Sequence, residues 1–226
     1  MGVAGVDDPH LGMETLSAGA YVENAVAAVI LLHGRGGQAQ SMLSLADELT
    51  RPGFLFLAPQ ARDRAWYPNS FRTAVEGNQP WLDSALAVIA RLLAQLAASG
   101  LPAERVALLG FSQGACLALE YAARNPRRYG AVFGLSGGLI GEQVDPAGYS
   151  GNLQGTPVLL ACSQQDPYIP LPRVHQTEQV MTALGAAVEL REYPGSEHNI
   201  NEDELARIWE MLALMLNASG KAGSGS

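Results

Sequence analysis

The sequence predicts an α/β domain, a mostly parallel sheet with helices on both faces. Three observations predict it. Short apolar runs alternate with longer amphipathic stretches along the chain, the pattern of strand–helix repeats wound into a parallel sheet. The runs are apolar throughout instead of alternating with polar residues, as strands covered on both faces are. The length of 226 residues, with 48% hydrophobic and 16% charged side chains, suits one domain with a large core and excludes disorder as the main state.

Each element follows in order. Residues 25–32, a run of Ala, Val, Ile and Leu, form a buried strand that ends in the turn-prone His33-Gly34-Arg35-Gly36-Gly37. Residues 41–50 form a helix with Met42, Leu45, Ala46 and Leu49 on one face, broken by Pro52-Gly53. Residues 54–58 are the next strand. Residues 59–79 are irregular and hold Trp66, Tyr67, Pro68 and Phe71; loops of that length are commonly functional. Pro80 opens a helix over 81–99, which Gly100 and Pro102 end. Residues 105–109 make a strand and 113–124 a helix closed by Asn125-Pro126. Strands follow at 131–135 and 157–162, then a helix over 172–184 stopped by Gly185. A strand over 188–193 precedes the last helix, 202–216, with Asn201 as its N-cap. The first 24 residues hold one or two weak edge strands. The expected organisation is thus an N-terminal segment (1–24), one domain (25–217) and a Gly/Ser-rich flexible tail or cloning scar (218–226).

Composition narrows the function classes. The formal net charge is −8 and no Lys/Arg cluster could cover a phosphate backbone, so no nucleic-acid partner is expected. The longest apolar stretches, 25–32 and 106–110, fall far short of the roughly 20 residues of a membrane span. Residues 1–10 carry neither the basic start nor the apolar block of a signal peptide. Cys116 and Cys162 are too few for a disulfide scaffold and read as reduced, buried residues of a cytoplasmic protein. No Cys/His cluster has zinc spacing, so no metal site is expected.

Gly110-Phe111-Ser112-Gln113-Gly114 carries the sharpest chemical signal. It matches G-x-S-x-G between a predicted strand and a predicted helix. A chain turning sharply there strains the middle residue, and the small neighbours let the serine oxygen project above the sheet edge. The helix N-terminus beneath it favours developing negative charge. Serine needs a base. Among His10, His33, His175 and His198, the first lies in a frayed terminus and the third on a solvated helix face. His198 follows the last strand in a loop at the sheet's C-terminal edge, where it can reach the serine. The base needs an orienting carboxylate. Asp166 follows strand 157–162; Glu142 and Asp145 are rivals, and Asp203 reads as a first-turn helix residue. The chain order Ser…Asp…His favours Asp166. The oxyanion of a tetrahedral intermediate needs backbone donors, worth on the order of 3 kcal/mol each. The N–H of Gln113 supplies one, and the glycine loop supplies the other through the N–H of Arg35. His33 reads as a structural hydrogen-bonding residue of that loop.

Three segments, Leu32-His33-Gly34-Arg35-Gly36-Gly37, Gly110-Phe111-Ser112-Gln113-Gly114-Ala115 and Gly195-Ser196-Glu197-His198, together resemble the phospholipase/carboxylesterase family of small α/β-hydrolases, which includes acyl-protein thioesterases. The resemblance spans about residues 25–216. It implies an α/β-hydrolase fold, a Ser112–Asp166–His198 triad, oxyanion donors at Arg35 and Gln113, and no cofactor. It also implies a possible homodimer. Arg35 departs from the family pattern, where many members carry an apolar residue; its side chain is expected to reach over the site and tolerate polar or anionic substrate groups. No large lid domain is visible.

Trp66, Tyr67, Phe71, Tyr168, Ile169 and Leu171 lie in loops expected to meet at the C-terminal sheet edge and line an apolar acyl pocket. Cys116, one turn beyond Ser112, reads as core and not as a nucleophile. The function expected is a cytoplasmic serine carboxylesterase acting on short to medium acyl esters of small molecules. A thioesterase or lysophospholipase with the same triad is the second reading, and a non-catalytic ligand receptor on the same fold is the third.

Overall fold

A computed structural model describes residues 8–219. Seven strands form one sheet: β1 (Thr15–Gly19), β2 (Ala27–Leu32), β3 (Phe54–Pro59), β4 (Val106–Phe111), β5 (Ala131–Leu135), β6 (Pro157–Ser163) and β7 (Ala187–Tyr193). Five helices connect them: α1 (Ala39–Leu49), α2 (Trp81–Ala98), α3 (Gln113–Arg124), α4 (Leu171–Ala183) and α5 (Glu202–Ser219). The strand order is β1-β3-β2-β4-β5-β6-β7, parallel except for β1, which pairs antiparallel with β3. The N-terminal segment therefore holds one edge strand.

The sheet divides the core because side chains alternate across a strand. On β2, Ala28, Ile30 and Leu32 join the α2, α3 and α4 layer, while Ala27, Val29 and Leu31 join the α1 and α5 layer. Both faces are covered, which explains why the central strands are apolar at every position. Helix α2 is long and apolar enough to cross a membrane by length and composition. Asp83 and Arg91 interrupt its apolar run, so the sequence conceals this; its Leu82, Ala85, Ile89, Leu93 and Leu96 are packed in the core.

Element boundaries differ from the sequence expectation by one or two residues at most of the other ends, where fraying and capping decide the limit. Helix α5 runs to Ser219, two residues into the segment expected to be a tail; residues 220–226 lie outside the described part. At its start Asn201 Oδ1 accepts from Glu204 N and Glu204 Oε2 accepts from Asn201 N, a capping box.

His10 is not frayed. It is 2% exposed, its Nε2 pairs with Trp66 O at 2.9 Å, and its Nδ1 accepts from Arg62 N. Burial lowers its pKa, so the ring is neutral at physiological pH. The segment before β1 thus straps down the long loop that follows β3.

The site forms where the strand order reverses. Chain connections leave β2 toward β3 on one side and β4 toward β5 on the other, so a crevice opens above the C-terminal ends of β2 and β4. Leu32 and Gly110 are register partners there, which sets the glycine loop beside the serine turn.

Candidate active site

The turn carrying Ser112 has no room for side chains at its glycines. A Cβ on Gly110 would fall 2.2 Å from Gly114 O, and one on Gly114 would fall 2.1 Å from Leu32 O. β4 therefore passes directly into α3, and Ser112 sits between them at φ 54°, ψ −117°. That conformation is costly for a residue with a Cβ and is held by the packing around it. It lifts the Ser112 hydroxyl above the sheet.

His198 Nε2 lies 2.9 Å from Ser112 Oγ, and its Nδ1 lies 2.7 Å from Asp166 Oδ2. The Asp166 side chain is fully buried and can only accept, so Nδ1 carries the proton and Nε2 faces the serine as an acceptor. Asp166 Oδ1 accepts from the N–H groups of Tyr168 and Ile169. The loops bearing acid and base are tied together by Ser163 Oγ donating to Glu197 O and Gln165 N donating to Gly195 O. Phe111 and Tyr168 flank the imidazole, each with its ring centre 4.9 Å away.

Arg35 and Gln113 both line the cleft over Ser112. Among the described residues, neither Arg35 N nor Gln113 N donates a hydrogen bond. The glycine loop is fixed by His33, whose Nδ1 lies 2.7 Å from Gly34 O while Nε2 accepts from Ala61 N. Burial lowers the His33 pKa, which keeps it neutral and structural as expected. Gly36, at φ 76°, donates to Arg64 O across the loop.

The remaining rivals are elsewhere. Asp145 caps Ala147 N, Glu142 offers its carbonyl to Arg173, and Asp203 pairs with Arg191 and Tyr193. His175 pairs with Glu192 on the exposed face of α4. Among the described residues, no three His, Cys, Asp or Glu side chains come together as a metal site requires. Burial pushes the Cys116 thiol up to about 12, so it is not a thiolate at neutral pH.

A cleft of about 690 Å³ opens over Ser112 and His198. Tyr67, Phe71, Tyr168 and Ile169 line it, as the sequence predicts. Trp66 does not. It is fully buried beneath the loop, with Nε1 donating to His33 O. Leu171 does not either; as the first residue of α4 it packs against the core. Membership of a loop at the sheet edge does not determine which way a side chain turns.

Arg35 lines the cleft as expected, but its guanidinium is engaged by the protein itself. It donates to the carbonyls of Tyr67, Pro68 and Asn69, at 2.9, 2.9 and 2.6 Å, and so clamps the cleft wall. The Gln113 side chain completes the clamp, accepting from Trp66 N and donating to Tyr67 O. Sequence reasoning missed this second role of Gln113, because its partners are backbone atoms of a distant loop. It also missed Phe111 as a cleft wall, although a residue preceding the serine on a sharp turn must emerge at the site.

A family model described as Phospholipase/Carboxylesterase matches residues 19–216. The crystal structure of a phospholipase/carboxylesterase from Dyadobacter fermentans is similar at TM-score 0.86 and 40% identity, covering 89% of this chain and 97% of that one. An acyl-protein thioesterase 1 from Kluyveromyces lactis is 27% identical over 83% of this chain and 91% of its own length. The match to an acyl-protein thioesterase 1 from Gibberella zeae is 31% identical but spans 55% of this chain and about half, 54%, of that protein.

Proposed function

The chain belongs to the phospholipase/carboxylesterase family of α/β-hydrolases, and from this premise we propose that it is a serine carboxylesterase acting on short to medium acyl esters. Ser112 attacks the ester carbonyl. His198 takes the hydroxyl proton at Nε2 and returns it to the leaving alcohol. Asp166 holds the ring and stabilises its charged form. The N–H groups of Arg35 and Gln113 receive the oxyanion. Water activated by His198 then releases the acid and restores Ser112. Nothing in this sequence of steps calls for a cofactor. The two free, buried cysteines fit a reducing, cytoplasmic location.

The observation that carries the reading is the hydrogen-bonded chain from Ser112 through His198 to Asp166, beside two backbone N–H groups that have no acceptor among the described residues. The test is hydrolysis of p-nitrophenyl acetate, butyrate and octanoate by the wild type and Ser112→Ala. The variant is expected to lose at least roughly a thousandfold in rate. Equal, slow rates for both proteins on every ester would overturn the reading.

The thioesterase names of the relatives favour one further reading, in which the same groups cleave a thioester. Turnover of octanoyl-CoA and a lysophospholipid against p-nitrophenyl octanoate separates the two, since the chemistry at the carbonyl is common and only the leaving group differs.

A further inference from the structure

The cleft is positive in a protein that is negative overall. The chain carries 14 Lys+Arg against 22 Asp+Glu. Yet the cleft lining includes Arg35 and Arg72 and no Asp or Glu. Asp166 is fully buried behind His198.

Three guanidiniums surround the wall formed by residues 67–72, and among the described residues none of them makes an ion pair. Arg35 donates to three backbone carbonyls. Arg173, 7% exposed, lies 5.7 Å from the Phe71 ring and donates to the carbonyls of Leu139, Gly141 and Glu142 and to Gln176. Neutral acceptors satisfy the N–H groups without cancelling the charge. Burial and the neighbouring Arg72 both lower the Arg173 pKa, the mark of like charges held close. The carboxylate that acts on Arg173, Glu120, is already paired with Arg124 at 2.5 Å and accepts from Ile140 N and Tyr149.

Arg72 differs from the other two. It is exposed at the cleft rim, and among the described residues its side chain has no hydrogen-bond or ion-pair partner. It has donors to offer, above a floor that excludes carboxylates. A local positive field of this kind concentrates anions at a site that the net charge would otherwise repel them from.

We propose that this hydrolase takes esters bearing an anionic group, a carboxylate or a phosphate, and that Arg72 is the specificity residue that receives it. The inference rests on the esterase reading above and names its substrate class. Arg35 contributes charge and holds the wall, and Arg72 makes the contact.

The test compares kcat/KM on matched esters. Mono-4-nitrophenyl adipate against 4-nitrophenyl hexanoate places a carboxylate on the acyl side. 4-Butyryloxybenzoate and 4-butyryloxyphenyl phosphate, each against phenyl butyrate, place a carboxylate or a phosphate on the alcohol side. At least one anionic ester is expected to exceed its neutral partner by about tenfold at low salt, as one charge-assisted hydrogen bond supplies. Arg72→Gln should erase that ratio mainly through KM, Arg72→Lys should restore part of it, and added salt should shrink it. A ratio near one in the wild type, or a ratio that survives Arg72→Gln, overturns the inference. Ser112-dependent turnover of the neutral esters tests the esterase reading separately. Calorimetric titration of the Ser112→Ala protein with monoethyl adipate and ethyl hexanoate, with and without Arg72→Gln, gives the same comparison from binding alone. Equal affinities there would also sink the proposal.

Discussion

Asp166 divides its carboxylate between His198 and its own loop. Oδ2 lies 2.7 Å from His198 Nδ1, while Oδ1 accepts from Tyr168 N and Ile169 N at 2.8 and 2.9 Å. One oxygen thus orients the proposed base and the other builds the loop that flanks it. Asp166→Asn separates these duties. The amide oxygen can keep both backbone bonds, but the amide nitrogen facing Nδ1 favours the wrong imidazole tautomer. We expect kcat on p-nitrophenyl esters to fall by about 10⁴-fold, with a melting temperature close to the wild type. A variant that melts early and loses activity in proportion would show a merely structural aspartate.

The glycines around Ser112 make a steric prediction. A methyl at residue 114 would meet Leu32 O at 2.1 Å and His33 O at 2.7 Å, both backbone atoms at the root of the glycine loop. Neither can rotate away. Gly114→Ala must push α3 from β2, which separates Ser112 from the Arg35 N–H. The expected cost is about 1–3 kcal/mol of stability from overpacking, and on the order of 10²-fold in kcat from a shift near 1 Å. Denaturant unfolding and ester kinetics read the two losses independently.

Among the described residues the buried Tyr67 hydroxyl has no hydrogen-bond partner of ordinary geometry, and its one polar neighbour, the Cys116 thiol, is a weak acceptor. Burial raises the phenol pKa far from neutrality, so the group remains a desolvated, neutral O–H. Removing it relieves an uncompensated polar burial. Tyr67→Phe is expected to leave stability unchanged or raise it by about 1 kcal/mol, measured by urea midpoint at constant slope. A clear loss of stability would mean that the hydroxyl finds a partner in solution.

Local patterns carried the parts of this molecule that were readable in sequence. The apolar run of β2, the Gly110–Gly114 turn and the chain order of Ser112, Asp166 and His198 are each defined by neighbours along the chain, and the fold brings them to one sheet edge. What the sequence concealed depends on contacts between distant segments. Arg35 reads as a side chain reaching toward substrate because its carbonyl partners lie in another loop. Trp66 reads as a pocket aromatic because only the folded chain places His33 O beside its indole N–H. His10 reads as frayed because the loop that buries it follows some fifty residues later. In each case the residue type was legible and its direction was not.

Glu204 predicts a pH dependence outside the site. Its carboxyl is 1% exposed and closes the capping box that starts α5, directly after the loop that bears His198. Burial, helped by the charge of Asp203, pushes it from 4.5 up to about 7 against the opposing hydrogen bond from Asn201 N. Tyr193 and the Cys162 thiol also lie within its electrostatic reach. Between those two values the folded chain holds a proton that the unfolded chain has released, so stability falls as pH rises. The contribution is complete below about pH 4.5 and is lost as pH passes 7, an effect on the order of 3 kcal/mol. Glu204→Gln keeps an acceptor for Asn201 N and cannot ionise. Its stability relative to the wild type should therefore rise steadily from pH 5 to pH 8 in paired urea titrations. Parallel pH profiles for the two proteins would mean that Glu204 ionises in the fold as readily as in water, and that the start of α5 admits solvent.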